Sequence, residues 1–400
     1  MLCISPGRFE GEFDAPPSKP YSQRLLLAAA LAEGRTAIRG VEWSDDFVAM
    51  YRAIQPLARI TAGGRDLYLE RREPDPRRSF NVGESGFTLR TAVAVYAGIP
   101  GITAVFYGGT LRGRPIDELV EAVGRLTRIE KIPGAIFIEG RRLGPFEVEI
   151  RGDISSQYIS GLMYLAAVAG GGYIKPLGVR KSWNFVEATA EVLRTFGAEV
   201  RVGEAVEVRG ALRSPSAVEV PSDFSLAAFL LVAAVATGGR VEIRGRATNV
   251  DRPVLKIFKE MGADVTEEGN VVRAGGAFTR GVDADLGGNP DLVMPVALAA
   301  AMAEEETVIR GVEHLRYKES DRISTVMDVL RRMGAEAEYR EGALRIRGPP
   351  RRRDVVFSSH GDHRIGLMAL AAARVIGGCL DDVSPIAKSW PTALLYFRNS

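Results

Sequence analysis

Ser222-Asp223-Phe224-Ser225, followed by the uncharged run 226–236 and the β-like stretch 240–244, sets a pattern that recurs in outline six times. Each time a compact polar cassette precedes an Ala-rich apolar stretch, and a small or Gly-containing turn leads into a β-like run. Ser18-Lys19-Pro20-Tyr21-Ser22-Gln23-Arg24 precedes 25–32 and then 36–41. Gly83-Glu84-Ser85-Gly86 precedes 88–97 and then 103–107. Ser155-Ser156-Gln157 precedes 159–169 and then 173–177. Asn289-Pro290-Asp291 precedes 292–303 and then 307–311, and Asp362-His363-Arg364 precedes 365–375 and then 379–383. Each cassette sits where a helix should begin. Helix N-termini carry unpaired N–H groups and the positive end of the dipole, so they bind anions. Six such ends, several bearing Lys or Arg, point to a highly anionic small molecule.

The repeat has a second half. Residues 47–58, 116–126, 186–196, 254–261 and 323–333 each place apolar residues at helical spacing. Three of them end alike, in Phe196-Gly197-Ala198, Met261-Gly262-Ala263 and Met333-Gly334-Ala335, where Gly fits the left-handed position that closes a helix. Strand–turn–strand follows each. The unit is helix, strand, helix, strand, strand, at a period of roughly 65–70 residues, longer than the usual solenoid repeats of about 20–50. The sixth unit stops early, and strands at 2–5 and 8–13 are expected to complete it, which would bring the chain ends into one domain.

With 400 residues the chain exceeds a single core, and two domains are expected. Formal net charge is only +2, and both signs are interspersed. The Arg pairs and the run Arg351-Arg352-Arg353 are scattered, which excludes a nucleic-acid stripe. The longest apolar stretches fall short of the ~18 residues of a membrane span. Residues 1–14 alternate rather than forming an apolar block, so no signal peptide is expected and the protein reads as cytoplasmic. Scarce Gln beside plentiful Arg and Glu leans toward a heat-adapted source. The expected boundaries are 12–17 and 218–221, both containing Pro. They divide the units three and three: 13–220 as one domain, and 221–400 with 1–12 as the other. Two crossings make a double hinge, so a ligand held by both halves would close them and exclude water.

Ser, Asp and Asn at helix starts are ordinary N-caps, and capping alone would account for Ser222, Asp223 and Asn289. Ser155-Ser156-Gln157 offers two hydroxyls and an amide where one cap suffices. Lys19, Arg24, Arg90 and Arg364 are different, because a cation in a first helical turn opposes the macrodipole. An anionic ligand explains that repeated misfit. Lys318-Glu319-Ser320-Asp321-Arg322 sets carboxylates beside cations, which suits proton transfer next to a bound phosphate, although a surface salt-bridge cluster would have the same composition.

These segments, with Gly86…Arg90, Arg114-Pro115, Pro290-Asp291 and Ala387-Lys388, occur in the order found in the 5-enolpyruvylshikimate-3-phosphate synthase family, which the chain resembles from about residue 8 to 391. Lys-Glu-Ser-Asp-Arg and Asp-His-Arg are the most specific segments. The resemblance implies an α/β fold: a two-domain inside-out α/β barrel, each domain made of three βαβαββ units, with the active site between them. It implies transfer of the enolpyruvyl group of phosphoenolpyruvate to the 5-hydroxyl of shikimate 3-phosphate, with release of phosphate. It implies no metal or organic cofactor, small-molecule partners only, and a monomer.

By resemblance, Lys19, Arg24, Ser155, Ser156, Gln157, Ser182, Asp291 and Lys318 hold shikimate 3-phosphate. Lys19, Gly86, Arg114, Gln157, Arg322, Arg364 and Lys388 surround phosphoenolpyruvate. Asp291 is the base near the 5-hydroxyl, and Glu319 with Lys19 handles the methylene proton. Arg suits planar or multidentate anions, and Lys acts as a movable point charge. Several positions depart from the family pattern: Pro20 for Ser, Phe185 for Tyr, His314 for Asn, and Glu84 and Phe87 for Asn and Thr. Shikimate recognition is thus more altered than phosphate recognition, and Tyr21 and Ser22 are candidates to compensate. Two alternatives stay open. An enolpyruvyl transferase for another acceptor, such as a UDP-amino sugar, would typically carry a loop Cys, which 108–115 lacks. A non-catalytic anion-binding paralogue would have no need of Lys19, Asp291 and Glu319 together. The two cysteines, Cys3 and Cys379, lie on strands expected to be neighbours, and the sequence favours two separately buried thiols, with a bridge between them as the alternative.

Overall fold

The computed structural model describes residues 1–398. Contacts divide the chain into two units, Lys19–Val220 and a second in which Met1–Ser18 joins the chain from Pro221 onward. The N-terminal segment thus reaches Ser18 rather than residue 12. No helix among the described residues is long and apolar enough to cross a membrane.

Twelve α-helices are present among the described residues. The first unit holds α1 (Lys19–Leu31), α2 (Asp45–Ile54), α3 (Gly86–Ala97), α4 (Asp117–Gly124), α5 (Ser156–Ala169) and α6 (Asn184–Thr195). The second holds α7 (Phe224–Ala236), α8 (Pro253–Glu260), α9 (Val293–Ala300), α10 (Arg322–Met333), α11 (His363–Ile376) and α12 (Ala393–Arg398). The odd-numbered helices are the Ala-rich runs. Uncharged around their whole circumference beyond the first turn, or nearly so, they are buried on all sides, as a helix without a polar face must be. The amphipathic α2, α4, α6, α8 and α10 bury one face and expose the other. Gly197, Gly262 and Gly334 adopt φ of +86°, +103° and +82°, the left-handed region expected at those helix ends. The second helix of the first repeat is shorter than its pattern: α2 stops at Ile54, because Ala58–Gly63 is already a strand.

Six small sheets carry the helices. In five of them a leading strand runs parallel to the strand that follows the Ala-rich helix, and an antiparallel hairpin completes the set. Phe146–Arg151 pairs parallel with Gly171–Leu177, which pairs antiparallel with Val206–Arg209, followed by Glu199–Val202. The leading strands of the first and fourth repeats are exchanged along the sequence. Ala217–Glu219, just ahead of α7, pairs with Arg35–Arg39 of the first unit. Gly11–Asp14, just ahead of α1, pairs with Val241–Arg244 of the second. This exchange is why the chain crosses twice, and it corrects the expectation that 8–13 completes the sixth repeat. Only Leu2–Ile4 does so, alongside Gly378–Leu380 and Val355–Phe357. In that antiparallel pair Cys3 lies opposite Cys379, and the two form a disulfide, which corrects the favoured expectation of two separate thiols because the register sets the two residues directly across from each other.

Candidate active site

In the unit Lys19–Val220 the N-termini of α1, α3 and α5 converge. Gln23 of α1 donates to Ser85 Oγ and Thr88 Oγ1 at the start of α3, both at 3.2 Å. Arg90 of α3 donates to Gln157 Oε1 of α5 at 2.8 Å and to the Pro115 carbonyl at 2.7 Å. Gly86 sits beneath this junction. A Cβ there would fall 2.6 Å from Arg90 Nη1 and 2.9 Å from Arg114 Nη1, so the missing side chain leaves room for two guanidinium groups. Ser155 caps α5 through the Gln157 N–H at 3.3 Å, while Ser156 and Ser182 are buried, Ser182 with φ +54° just ahead of α6.

Lys19 and Arg24 are held differently. Lys19 Nζ lies 2.9 Å from Asp46 Oδ2, and both side chains are nearly buried. Asp46 also ties in Gln23 through its carbonyl, at 2.9 Å. Arg24 is buried, with its guanidinium over the Phe87 ring at 4.4 Å and the Phe185 ring at 5.6 Å. Its Nε donates to Thr189 Oγ1 at 2.9 Å, Nη1 to the Pro20 carbonyl at 2.8 Å and Nη2 to the Phe185 carbonyl at 3.1 Å. Burial pulls its pKa down to about 10, with Tyr164 and Tyr21 acting in the opposite sense, so it stays charged at neutral pH. Three of the five N–H groups of a guanidinium are thereby engaged within the unit. The departures Pro20, Phe87 and Phe185 are all parts of this one clamp. Of the expected compensators, Tyr21 donates its hydroxyl to Glu191 at 2.7 Å and Ser22 is buried. Glu84 accepts from the Thr110 N–H at 2.9 Å, and His314, in the other unit, is buried.

The second unit gathers Asp291, Glu319, Arg322, Arg364 and Lys388. Arg322, 2% exposed, is surrounded by carboxylates: Nε to Asp362 Oδ2 at 2.8 Å, Nη2 to Glu319 Oε2 at 2.8 Å, and Nη1 to Asp291 Oδ1 at 3.3 Å. Burial alone would lower its pKa, but Asp362 and Glu319, then Asp291, outweigh that and raise it above the ordinary value. Arg364 Nη2 takes the other oxygen of Asp291 at 3.0 Å, and Lys388 Nζ lies 3.7 Å from Glu319 Oε1. Asp362 caps α11 through the Arg364 N–H at 2.9 Å, so one carboxylate both starts the helix and holds Arg322. Lys318 ends the 3-10 turn Glu313–Tyr317 beside Glu319. Asp321 caps α10. Asn289 makes no side-chain cap and donates to the Val250 carbonyl instead.

Four carboxylates at these sites were given no part in the site by the sequence: Asp46, Asp362, which was read only within a helix-start segment, Asp223, which was read only as a cap, and Asp251. The last two lie at the start of α7. Asp223 Oδ1 accepts from the Leu226 N–H at 3.0 Å, and Asp251 Oδ2 from the Phe224 N–H at 3.2 Å. Both are buried. Burial first, then the Asp223 charge, pushes the Asp251 carboxyl well above its ordinary range, with Arg364 opposing; burial likewise raises Asp223. A carboxyl raised by folding favours the folded state below the unfolded carboxylate pKa of about 4, and that contribution is lost as pH rises through the folded value. Asp251→Asn is permanently neutral and escapes this loss. Its melting temperature should therefore gain on the wild type as pH rises from about 4 to 8, above any constant offset from the changed hydrogen bonds. A difference that stays flat with pH would refute the raised titration.

Comparison with known proteins gives a consistent result. The family model for EPSP synthase (3-phosphoshikimate 1-carboxyvinyltransferase) matches residues 4–394. The 3-phosphoshikimate 1-carboxyvinyltransferase of Korarchaeum cryptofilum is 33% identical over 410 residues, covering 98% of this chain and 97% of that one. That of Methanopyrus kandleri is 37% identical over 383 residues, covering 89% and 87%. Among solved structures, EPSP synthase from Acinetobacter baumannii superimposes with a TM-score of 0.80 at 24% identity, covering 99% and 97% of the two chains. The enolpyruvyl transferase NikO from Streptomyces tendae gives 0.76 at 18% identity, covering 99% and 96%. At these identities the structural matches establish the fold, an inside-out α/β barrel of two domains.

Proposed function

The chain belongs to the EPSP synthase family, a transferase family of the shikimate pathway of aromatic amino-acid biosynthesis, and from that premise we propose how its residues divide the reaction. The enzyme transfers the enolpyruvyl group of phosphoenolpyruvate to the 5-hydroxyl of shikimate 3-phosphate and releases phosphate, by addition and then elimination. In the proposed division Asp291 removes the proton from the 5-hydroxyl as its oxygen bonds to C2 of phosphoenolpyruvate. Glu319, with Lys19, delivers a proton to the C3 methylene, giving a tetrahedral adduct. The C2–O bond to phosphate then breaks, the new methyl group returns its proton, and the enol ether is restored. Arg114, Arg322, Arg364 and Lys388 neutralise the phosphate and carboxylate of phosphoenolpyruvate, with Gly86 and Gln157 shaping their approach. Lys19, Arg24 through its remaining N–H groups, Ser155, Ser156, Gln157, Ser182 and Lys318 bind shikimate 3-phosphate.

The observation that supports this division is the placement of Asp291 and Glu319 around one buried guanidinium. Asp291 lies between Arg322 and Arg364, and Glu319 between Arg322 and Lys388. Anion binding alone requires no carboxylates among the cations, whereas proton traffic at the methylene carbon and at the hydroxyl oxygen does. The proposal includes a monomer acting in the cytoplasm. Phosphate release measured with both substrates, and with each omitted in turn, tests the reading. Release should require both. Release from phosphoenolpyruvate alone, or none with both present, would overturn it.

A further inference from the structure

The Asp223 carboxylate is fully buried at the start of α7 and has no place in the reaction as described so far. Its Oδ1 receives the Ser225 hydroxyl at 2.5 Å. A serine hydroxyl has one proton, so its lone pairs are left to accept, and Arg364 Nη1 donates to that oxygen at 2.8 Å. Arg364 Nη2 in turn donates to Asp291 Oδ2 at 3.0 Å. The remaining polar atoms of the two end groups, Asp223 Oδ2 and Arg364 Nε, are buried and make no hydrogen bond. Ser225 is therefore the hydrogen-bonded link between them. Asp251 sits behind, fixed by the Phe224 N–H and by Thr248 Oγ1 at 3.2 Å, so that two carboxylates cap one helix end.

We propose that Asp223 is a positioning residue for the transfer reaction: by orienting the Ser225 hydroxyl it sets the guanidinium of Arg364, and through it the second oxygen of Asp291. The inference rests on the assignment of Arg364 to phosphoenolpyruvate and of Asp291 to the acceptor hydroxyl. Were Ser225 free to turn, its proton would point at Arg364 and the guanidinium would lose an acceptor. Asp223 prevents this because a carboxylate accepts only. The burial of the whole chain from Asp223 to Arg364 keeps water from substituting for any link.

Steady-state kinetics of Ser225→Ala, Asp223→Asn and the double variant decide the matter. Ser225→Ala removes the link and leaves the Asp223 cap in place. Losing a hydrogen bond to a charged group should raise KM for phosphoenolpyruvate by about tenfold or more, with KM for shikimate 3-phosphate unchanged. Asp223→Asn keeps a good N-cap residue but drops the charge, so it should move the same constant in the same direction. In the double variant the second change should add nothing, because both act through one hydroxyl, and Ser225→Thr should restore KM. Melting temperatures report folding separately. If Ser225→Ala keeps the wild-type KM for phosphoenolpyruvate, or if the two changes simply add, the positioning role is wrong. If instead the wild type itself releases no phosphate from the two substrates, the underlying assignment has failed rather than the relay.

Discussion

Asp291→Asn is expected to lower kcat by roughly 10²–10⁴-fold, the range for removing a positioned acid or base. The substitution is chosen to keep shape. An amide can still accept from one of the two guanidinium groups that now hold Asp291, Arg322 at 3.3 Å or Arg364 at 3.0 Å. Asp291→Ala would instead leave both cations without that partner and confuse a chemical loss with a rearranged site. Because Asn cannot take up the hydroxyl proton, the loss should appear in kcat, while calorimetric binding of phosphoenolpyruvate in the presence of shikimate 3-phosphate persists. Glu319→Gln should lose turnover on the same scale, since Glu319 holds the corresponding position between Arg322 and Lys388. Near-normal turnover in both variants would mean that the protons travel by another route.

The sequence carried the repeat because its helices are extreme. Runs such as 226–236 have no charged residue and can only be central, and the glycines at 197, 262 and 334 mark helix ends by a backbone conformation other residues resist. It did not carry the exchange of Gly11–Asp14 and Ala217–Glu219. These strands have four and three residues, each lies just ahead of an Ala-rich helix, and nothing in such short alternating segments selects between two equivalent sheets. The site divides in the same way. Cations in first helical turns were legible as electrostatic misfits, yet Arg24 shows that the protein itself can answer part of the misfit, here with Phe87, Phe185 and three acceptors. The carboxylates were the hidden half. Asp223 and Asp362 do cap helices, so the ordinary reading of them is true, and it conceals their second role. Which arginine each one meets depends on contacts 40 and 139 residues apart, as in Arg322 with Asp362 and Arg364 with Ser225.

The Cys3–Cys379 bridge should make the largest single contribution to stability, and Cys3→Ser should remove it. The strand Leu2–Ile4 pairs over only three residues with Gly378–Leu380, and a chain terminus held by so little would ordinarily fray. The bridge closes a loop with a sequence separation of 376. On the chain-entropy relation a loop of that length is worth about 5–6 kcal/mol, near the top of what disulfides deliver, so a loss of about 3–5 kcal/mol is the realistic expectation. The dependence on length is logarithmic, with each doubling worth only about 0.6 kcal/mol. The estimate therefore survives even if Lys19–Val220 stays folded and shortens the effective loop while the other unit opens. For a cooperative unit of about 200 residues this corresponds to a melting temperature lower by roughly 6–20 °C. Reduced wild type, Cys3→Ser and Cys379→Ser should melt together, well below the oxidised wild type. Were the oxidised wild type and Cys3→Ser to melt at the same temperature, the strand would be held by its hydrogen bonds and by the buried side chain of Ile4, and the bridge would contribute nothing.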